Sequence, residues 1–249
     1  MRPRTRAALA AARAAGIRIL IVTGRMFRSA RPFALAAGVS DPIICYQGAL
    51  VAEPDSGRVL HHVGIPVPVA REAIGAVEER AFDVNCYVDD ELVVARRTRS
   101  TDAYLEVQGV PIDVREVGDL RRWLSREPTK LVTVADPAAL APLELELKAR
   151  FGERLYVARS LPQFLELTAQ GVTKHAGLEA VARATGLRPD RTVAFGDGEN
   201  DLELLRWAGY AVAVANAHAA VLAQADLVCP SVEEEGVAQV IEAYLDSRA

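Results

Sequence analysis

Three carboxylates fall within five residues of the stretch TVAFGDGENDLE (192–203): Asp197, Glu199 and Asp201. Like charges repel, so crowding of this kind at the end of an apolar run suggests hard oxygen ligands placed for a cation. Magnesium suits the pattern, because it keeps several waters and takes one or two protein carboxylates, with phosphate oxygens completing its shell. Gly196 and Gly198 would let the backbone turn sharply and approach a ligand closely. The competing reading is an acidic helix start, which Asp, Glu and Asn stabilise by ~0.5–2 kcal/mol. A dinucleotide fingerprint is disfavoured, since Asp201 stands where the third glycine would be.

Two further residues invite a chemical reading. Thr23 closes the apolar run IRILIV, where a hydroxyl has no packing purpose; it could donate to a phosphoryl oxygen or simply cap a helix. Lys174 opens a helical pattern, an unfavourable place for a cation beside the positive end of the helix dipole. Only three of the 29 basic residues are lysines (Lys130, Lys148, Lys174), so background usage explains it less well. Either it offsets the charge of a bound anion or it is a solvated lysine. The segments VTGR (22–25), YQGA (46–49) and GDGEND (196–201) all fall in or after apolar strand patterns. In open α/β sheets ligands bind beyond the carboxyl ends of the strands, so the three loops could share one site.

The elements that must carry these loops follow from periodicity and punctuation. An alanine-rich helix begins at Pro3 and stops at Gly16, a strand covers IRILIV, a second helix runs from about Arg28 to Ala37, and PIICYQGALV reads as a strand leading into a hairpin through EPDSGRVLHHV. From about Val67 the pattern changes to short strands (VNCYVD, ELVVAR, KLVTVAD, LYVARS, FLELTA) with an amphipathic helix from Pro137 to Phe151. After Gly171 helices and continuous apolar strands alternate again, the signature of a parallel sheet covered on both faces. The expected fold is α/β: a Rossmann-like parallel-sheet core in residues 1–66 and 170–249, interrupted by an α+β cap at 67–169.

Composition narrows the partners. A chain with 51% hydrophobic and 25% charged residues is that of a folded domain, and a net charge of −4 argues against nucleic acid or an anionic membrane as partner. No apolar run approaches the ~18 residues that cross a bilayer, and no cleavage signal follows the first helix, so a cytoplasmic location is expected. Cys45, Cys86 and Cys229 read as small core hydrophobes, and His61, His62, His175 and His218 lack zinc-ligand spacing.

In their order, VTGR (22–25), YQGA (46–49), FLELTAQGVTKHAGL (164–178) and FGDGENDLELL (195–205) resemble the motifs of the haloacid dehalogenase superfamily, specifically its Cof-like phosphatases with a class IIB cap. The resemblance spans nearly the whole chain. It implies a Mg²⁺-dependent phosphatase acting on small phosphorylated metabolites, such as sugar phosphates or phosphorylated cofactors, through an aspartyl-phosphate. It further implies that Thr23 hydrogen-bonds the transferring phosphoryl group and that Lys174 offsets its charge. Gly24, Arg25, Gln47, Gly48 and Asn200 would line the phosphate or substrate. Asp197 would be a magnesium ligand, and Asp201 a second ligand or an orienting group. Gln47 replaces the family's usual asparagine, and His175 a common glycine. Glycosyl-phosphoglycerate and sucrose-phosphate phosphatases and phosphomannomutases are neighbouring possibilities.

One departure is larger. The family begins with a strand ending in Asp-x-Asp-Gly-Thr, whose first aspartate is the nucleophile and whose second is the general acid and base; no Asp-x-Asp pair occurs in this sequence. The first core strand is therefore expected to be missing, with Met1 an internal or misassigned start. The alternative expectation is an inactive protein that retains a phosphate and metal pocket.

Overall fold

The computed structural model describes residues 1–248. The chain divides into two compact units, one comprising residues 1–23, 30–60 and everything from Thr173 onward, the other residues 24–29 and 61–172.

In the first unit helix α1 (Pro3–Ala14) starts on a proline, whose missing N–H costs nothing there, and ends before Gly16 at φ +78°. Arg2 offers no side-chain cap; Glu235, distant in sequence, accepts from the Thr5 N–H at 2.9 Å and from the Thr5 hydroxyl at 3.0 Å instead. After α2 (Phe27–Ala36), strands β1 (Ile43–Cys45), β2 (Leu50–Ala52) and β3 (Val59–His62) form a sheet in that order. Here the structure departs from the sequence reading. PIICYQGALV is not one strand: the chain reverses at Tyr46–Gly48, with φ of 52°, 59° and 105° at three successive residues, and Cys45 pairs opposite Leu50 in an antiparallel ladder. Residues 17–22 contribute a single parallel bridge, Val22 to Ile44, rather than a full strand.

The second unit holds α3 (Val67–Glu78), β4 (Asn85–Val88), β5 (Glu91–Val94), α4 (Arg99–Gln108), β6 (Val114–Glu116), α5 (Leu120–Trp123), β7 (Lys130–Val134), α6 (Pro137–Phe151), β8 (Leu155–Leu161) and β9 (Phe164–Ala169). Its six strands lie in the order β6-β5-β4-β7-β9-β8, antiparallel throughout except for β5 with β6. The β4–β5 reversal rests on Asp89 and Asp90, both at positive φ, which a two-residue hairpin of matching twist requires. Helix α6 buries Leu140, Leu143, Leu147 and Phe151, the i, i+3, i+7, i+11 stripe that its sequence spells.

Within this apolar unit lies a charged cluster. The ammonium of Lys130 sits 3.2 Å from both carboxylate oxygens of Glu166 on the neighbouring strand, and the Ser160 hydroxyl donates to the same carboxylate at 2.6 Å. Tyr87, paired with Lys130 in the ladder, presents its ring face 5.3 Å from that ammonium. Lys130 is 2% exposed.

Back in the first unit, α7 (Lys174–Thr185), β10 (Val193–Gly196), α8 (Leu202–Trp207), β11 (Tyr210–Val214), α9 (Ala219–Leu222), β12 (Leu227–Cys229) and α10 (Gly236–Asp246) alternate as expected, with β10, β11 and β12 parallel and in sequence order. Ile44, Val51, Leu178, Val181, Leu205, Ala213 and Val221 share one core cluster. Burial of each large aliphatic side chain stabilises by about 1.5–3 kcal/mol, which is what fixes α7 and α8 against the strands whose ends carry the acidic loop. All three cysteines are buried and unbridged, and burial pushes the Cys86 thiol up to about 12, as suits a packing residue rather than a nucleophile. No helix among the described residues is long and apolar enough to cross a membrane.

Candidate functional site

Helix α7 begins where Thr173 turns its hydroxyl back to accept from the Ala176 N–H at 3.1 Å, an ordinary threonine cap. The lysine that follows is not solvated. Its Nζ lies 2.6 Å from Oδ1 of Asp201, and the two residues are only 9% and 4% exposed. An ammonium at a helix start is thereby stabilised by a charge-assisted bond that outweighs the helix dipole. The other oxygen of Asp201, Oδ2, accepts from the backbone N–H of Asp197 at 3.0 Å and of Gly198 at 3.1 Å. Asp201 thus closes the acidic loop on itself. Gly196 permits this: a Cβ there would lie 2.7 Å from the Asp201 Cβ.

Asp197 differs from its neighbour. It directly follows β10 and is exposed, its backbone carbonyl accepts from the His218 N–H at 2.8 Å, and its carboxylate has no hydrogen-bond or ion-pair partner among the described residues. A free, hard oxygen donor beside a fully engaged one fits a magnesium ion in part, as a single protein ligand in a shell that water and phosphate complete. Among the described residues there is no group of three or more His, Cys, Asp and Glu able to hold a metal by themselves. Glu199 is exposed and stands 3.5 Å from Nδ1 of His218, in keeping with a helix-start acid. His218 itself, unremarkable in the sequence, caps α9 and anchors the acidic loop through its backbone. The signal for it was positional: it lies just beyond the end of β11, the strand beside β10.

The turn at Tyr46–Gly48 joins the same neighbourhood. Gln47 donates its N–H to the carbonyl of Thr23 at 3.1 Å, and the Thr23 N–H donates to Ile44 at 2.8 Å. The Gln47 amide oxygen accepts from Nδ2 of Asn200 at 3.0 Å, a reach that the extra methylene of glutamine over asparagine supplies. Gly48 meets the start of α7 so closely that a Cβ would fall 2.0 Å from the Thr173 carbonyl oxygen, and Gly177 has the Gly48 Cα 2.8 Å from where its own Cβ would be. Two glycines therefore set the spacing between the turn that carries Gln47 and the helix that carries Lys174.

Thr23, Gln47, Gly48, Lys174, Asp197, Asn200 and Asp201 consequently fall in one unit: hydrogen bonds join Thr23, Gln47 and Asn200 in one set and Lys174, Asp201 and Asp197 in another, and Gly48 packs against the start of α7. Gly24 and Arg25 fall in the other. There the Arg25 guanidinium donates to the backbone carbonyl of Gln108, at the end of α4, and to the Ser29 hydroxyl at 3.1 Å, while the Ser29 hydroxyl donates to the Gln108 side chain at 3.2 Å.

A family model described as haloacid dehalogenase-like hydrolase matches residues 1–241. A pyridoxal phosphate phosphatase of Escherichia coli is 30% identical over 245 residues, covering 96% of this chain and 90% of the relative. A 5-amino-6-(5-phospho-D-ribitylamino)uracil phosphatase of Bacillus subtilis is 28% identical over 239 residues, covering 91% and 84%. Among solved structures, a haloacid dehalogenase-like hydrolase from Bacteroides thetaiotaomicron superposes with a TM-score of 0.90 at 27% identity, covering 98% of this chain and 92% of that one.

Proposed function

Because the chain belongs to the haloacid dehalogenase-like hydrolase family, we propose that it performs the binding and charge-stabilising part of a Mg²⁺-dependent phosphatase for small phosphorylated metabolites. The observation that carries this is the arrangement around Asp201: a buried lysine held on one carboxylate oxygen, two loop amides on the other, and the free carboxylate of Asp197 beside them. Relatives named as phosphatases of pyridoxal phosphate and of a phosphorylated ribitylaminouracil support a phosphate monoester on a small organic body as substrate.

In this reading the Lys174 ammonium faces the negative charge that gathers on the phosphoryl oxygens as the ester bond breaks, and the Thr23 hydroxyl donates to one of those oxygens. Asp201 holds the lysine in place and, through the two loop amides, sets the direction of the Asp197 carboxylate. Asn200 and Gln47 orient one another and present their remaining amide hydrogens on the phosphate side. Magnesium, held by Asp197, would supply Lewis-acid neutralisation of the phosphoryl charge. A carboxylate must attack phosphorus and a second must carry the proton to the leaving oxygen; the sequence holds no Asp-x-Asp pair for these two roles. The second reading of the same pocket is a phosphate-binding protein without turnover.

A fusion separates the two. The 249 residues alone are expected to release no p-nitrophenol from p-nitrophenyl phosphate in the presence of Mg²⁺. The same chain preceded by an Asp-x-Asp-Gly-Thr strand from a relative is expected to turn it over, and to lose about 100-fold on Asp197→Ala. No turnover by a folded fusion would leave the non-catalytic reading standing, and an Asp197→Ala fusion with full activity would remove the metal assignment.

A further inference from the structure

Arginines in the second unit mostly face carboxylates: Arg97 pairs with Asp102, Arg126 with Asp89, Arg150 and Arg154 with Glu72, and Arg159 with Glu144. Around one cavity the arrangement is different. A space of about 560 Å³ is lined by Arg71 on α3 and by Asp119, Arg121 and Arg122 at and on α5. Arg71 is held by a neutral group, its Nε and Nη2 both donating to the Leu124 carbonyl at 3.2 and 2.7 Å, so its position is fixed while its charge is not cancelled. Arg121 makes no hydrogen bond or ion pair among the described residues. It is seated all the same: its guanidinium lies over Gly75, where an added Cβ would fall 3.2–3.4 Å from Cζ, Nη1 and Nε. A glycine inside a helix costs about 1 kcal/mol relative to alanine, and here it yields a flat backbone surface on which the guanidinium rests. Arg122 is tied to Asp119, the one carboxylate in the lining, at 3.4 Å.

Arg71 and Arg121, seated by the Leu124 carbonyl and by Gly75, and the exposed Arg122 stand against the carboxylates of Asp119 and Glu78, which leaves a surplus of positive charge in a chain whose net charge is −4. Glu78, also on α3, is the other acid whose charge reaches Arg121, and burial raises its pKa. Planar guanidiniums bind phosphate oxygens in bidentate pairs, and groups already immobilised lose little entropy in doing so. The volume exceeds what a bare phosphate needs and lies within the roughly 300–1,000 Å³ of small-molecule sites. We propose that this cavity is an anion site for the phosphate group of a small phosphate monoester, separate from the Lys174–Asp201 centre and independent of whether that centre turns substrate over.

The arginine Nε–H resonances of the 249-residue protein, followed by NMR during titration at constant ionic strength, test this. With inorganic phosphate, Arg71, Arg121 and Arg122 are expected to shift together along one saturating curve. Phenylphosphonate, a monoester mimic that cannot be hydrolysed, is expected to saturate the same three at least severalfold lower. Arg121→Ala should weaken binding about tenfold or more, as for loss of a charge-assisted pair. Gly75→Ala retains every charge and favours the helix, yet should weaken it severalfold by unseating Arg121. Amides near Thr23 and Lys174 report the other centre within the same spectra. Shifts that rise linearly without saturation, or that persist unchanged in Arg121→Ala, would overturn the site; equal affinity for phosphate and phenylphosphonate would overturn its assignment to an ester.

Discussion

Lys174→Met is expected to abolish most of the turnover of an Asp-x-Asp-bearing fusion and to destabilise the first unit at the same time. The two losses have separate causes. Methionine fills nearly the space of the lysine stem but leaves the 4%-exposed Asp201 carboxylate facing an apolar group, with only the Asp197 and Gly198 amides for compensation. Breaking a buried pair in this way costs about 3–5 kcal/mol. The rate should fall by on the order of 10²–10³, the usual effect of removing one preorganised charge-stabilising donor. A double variant separates them. In Lys174→Met/Asp201→Asn both members are neutral and the asparagine Oδ1 can still accept from the loop amides, so most of the stability is expected to return while the rate does not. Urea denaturation and p-nitrophenol release on the same three proteins measure this. Recovery of both quantities in the double variant would mean that Lys174 is structural and that the phosphoryl charge is stabilised elsewhere.

The acidic loop announced itself, because carboxylates crowded after an apolar run have few purposes; the division of labour between Asp197 and Asp201 did not, because it depends on which oxygen meets Lys174, a residue from a helix far away in the sequence. Continuous apolar runs gave the α/β alternation but hid the reversal at Tyr46–Gly48. A run such as PIICYQGALV has no period that distinguishes one buried strand from two short ones, and two non-glycine residues at positive φ leave no compositional trace. The cap of α1 was invisible for a related reason: its acceptor, Glu235, is brought to Thr5 by tertiary packing of α10 against α1 rather than by local sequence. Lysine scarcity sets all three lysines apart, but the helix start drew the chemical reading to Lys174. The scarcity applies equally to Lys130, which strand periodicity placed in KLVTVAD without any hint of Glu166 diagonally across on β9, where it pairs with Val132, since cross-strand neighbours are fixed by register and not by spacing.

Lys130 is therefore the second place where a large effect is expected, of stability alone. It is buried at 2% exposure with Glu166 at 9%, in a unit that contains none of the residues linked to Lys174. Burial by itself would lower the lysine pKa, but the facing charge of Glu166, joined by Tyr104 and by the hydrogen bond to Glu166, outweighs it and leaves the pKa raised. A raised folded-state value means that the pair stabilises fully below the unfolded lysine pKa of about 10.4 and loses that contribution as pH climbs through the folded value. Lys130→Met should cost about 3–5 kcal/mol at neutral pH, because Glu166 is left with the Ser160 hydroxyl as its remaining partner. Lys130→Met/Glu166→Leu should recover most of it, since well-packed apolar replacements of buried pairs are often neutral or stabilising by about 1–4 kcal/mol. The double variant should also lose less stability than the parent between pH 8 and pH 11, since it has no buried ammonium to titrate. Urea midpoints of the three proteins at both pH values decide the matter. If Lys130→Met is no less stable than the parent, the pair is not the charged strut that its burial and two 3.2 Å contacts indicate.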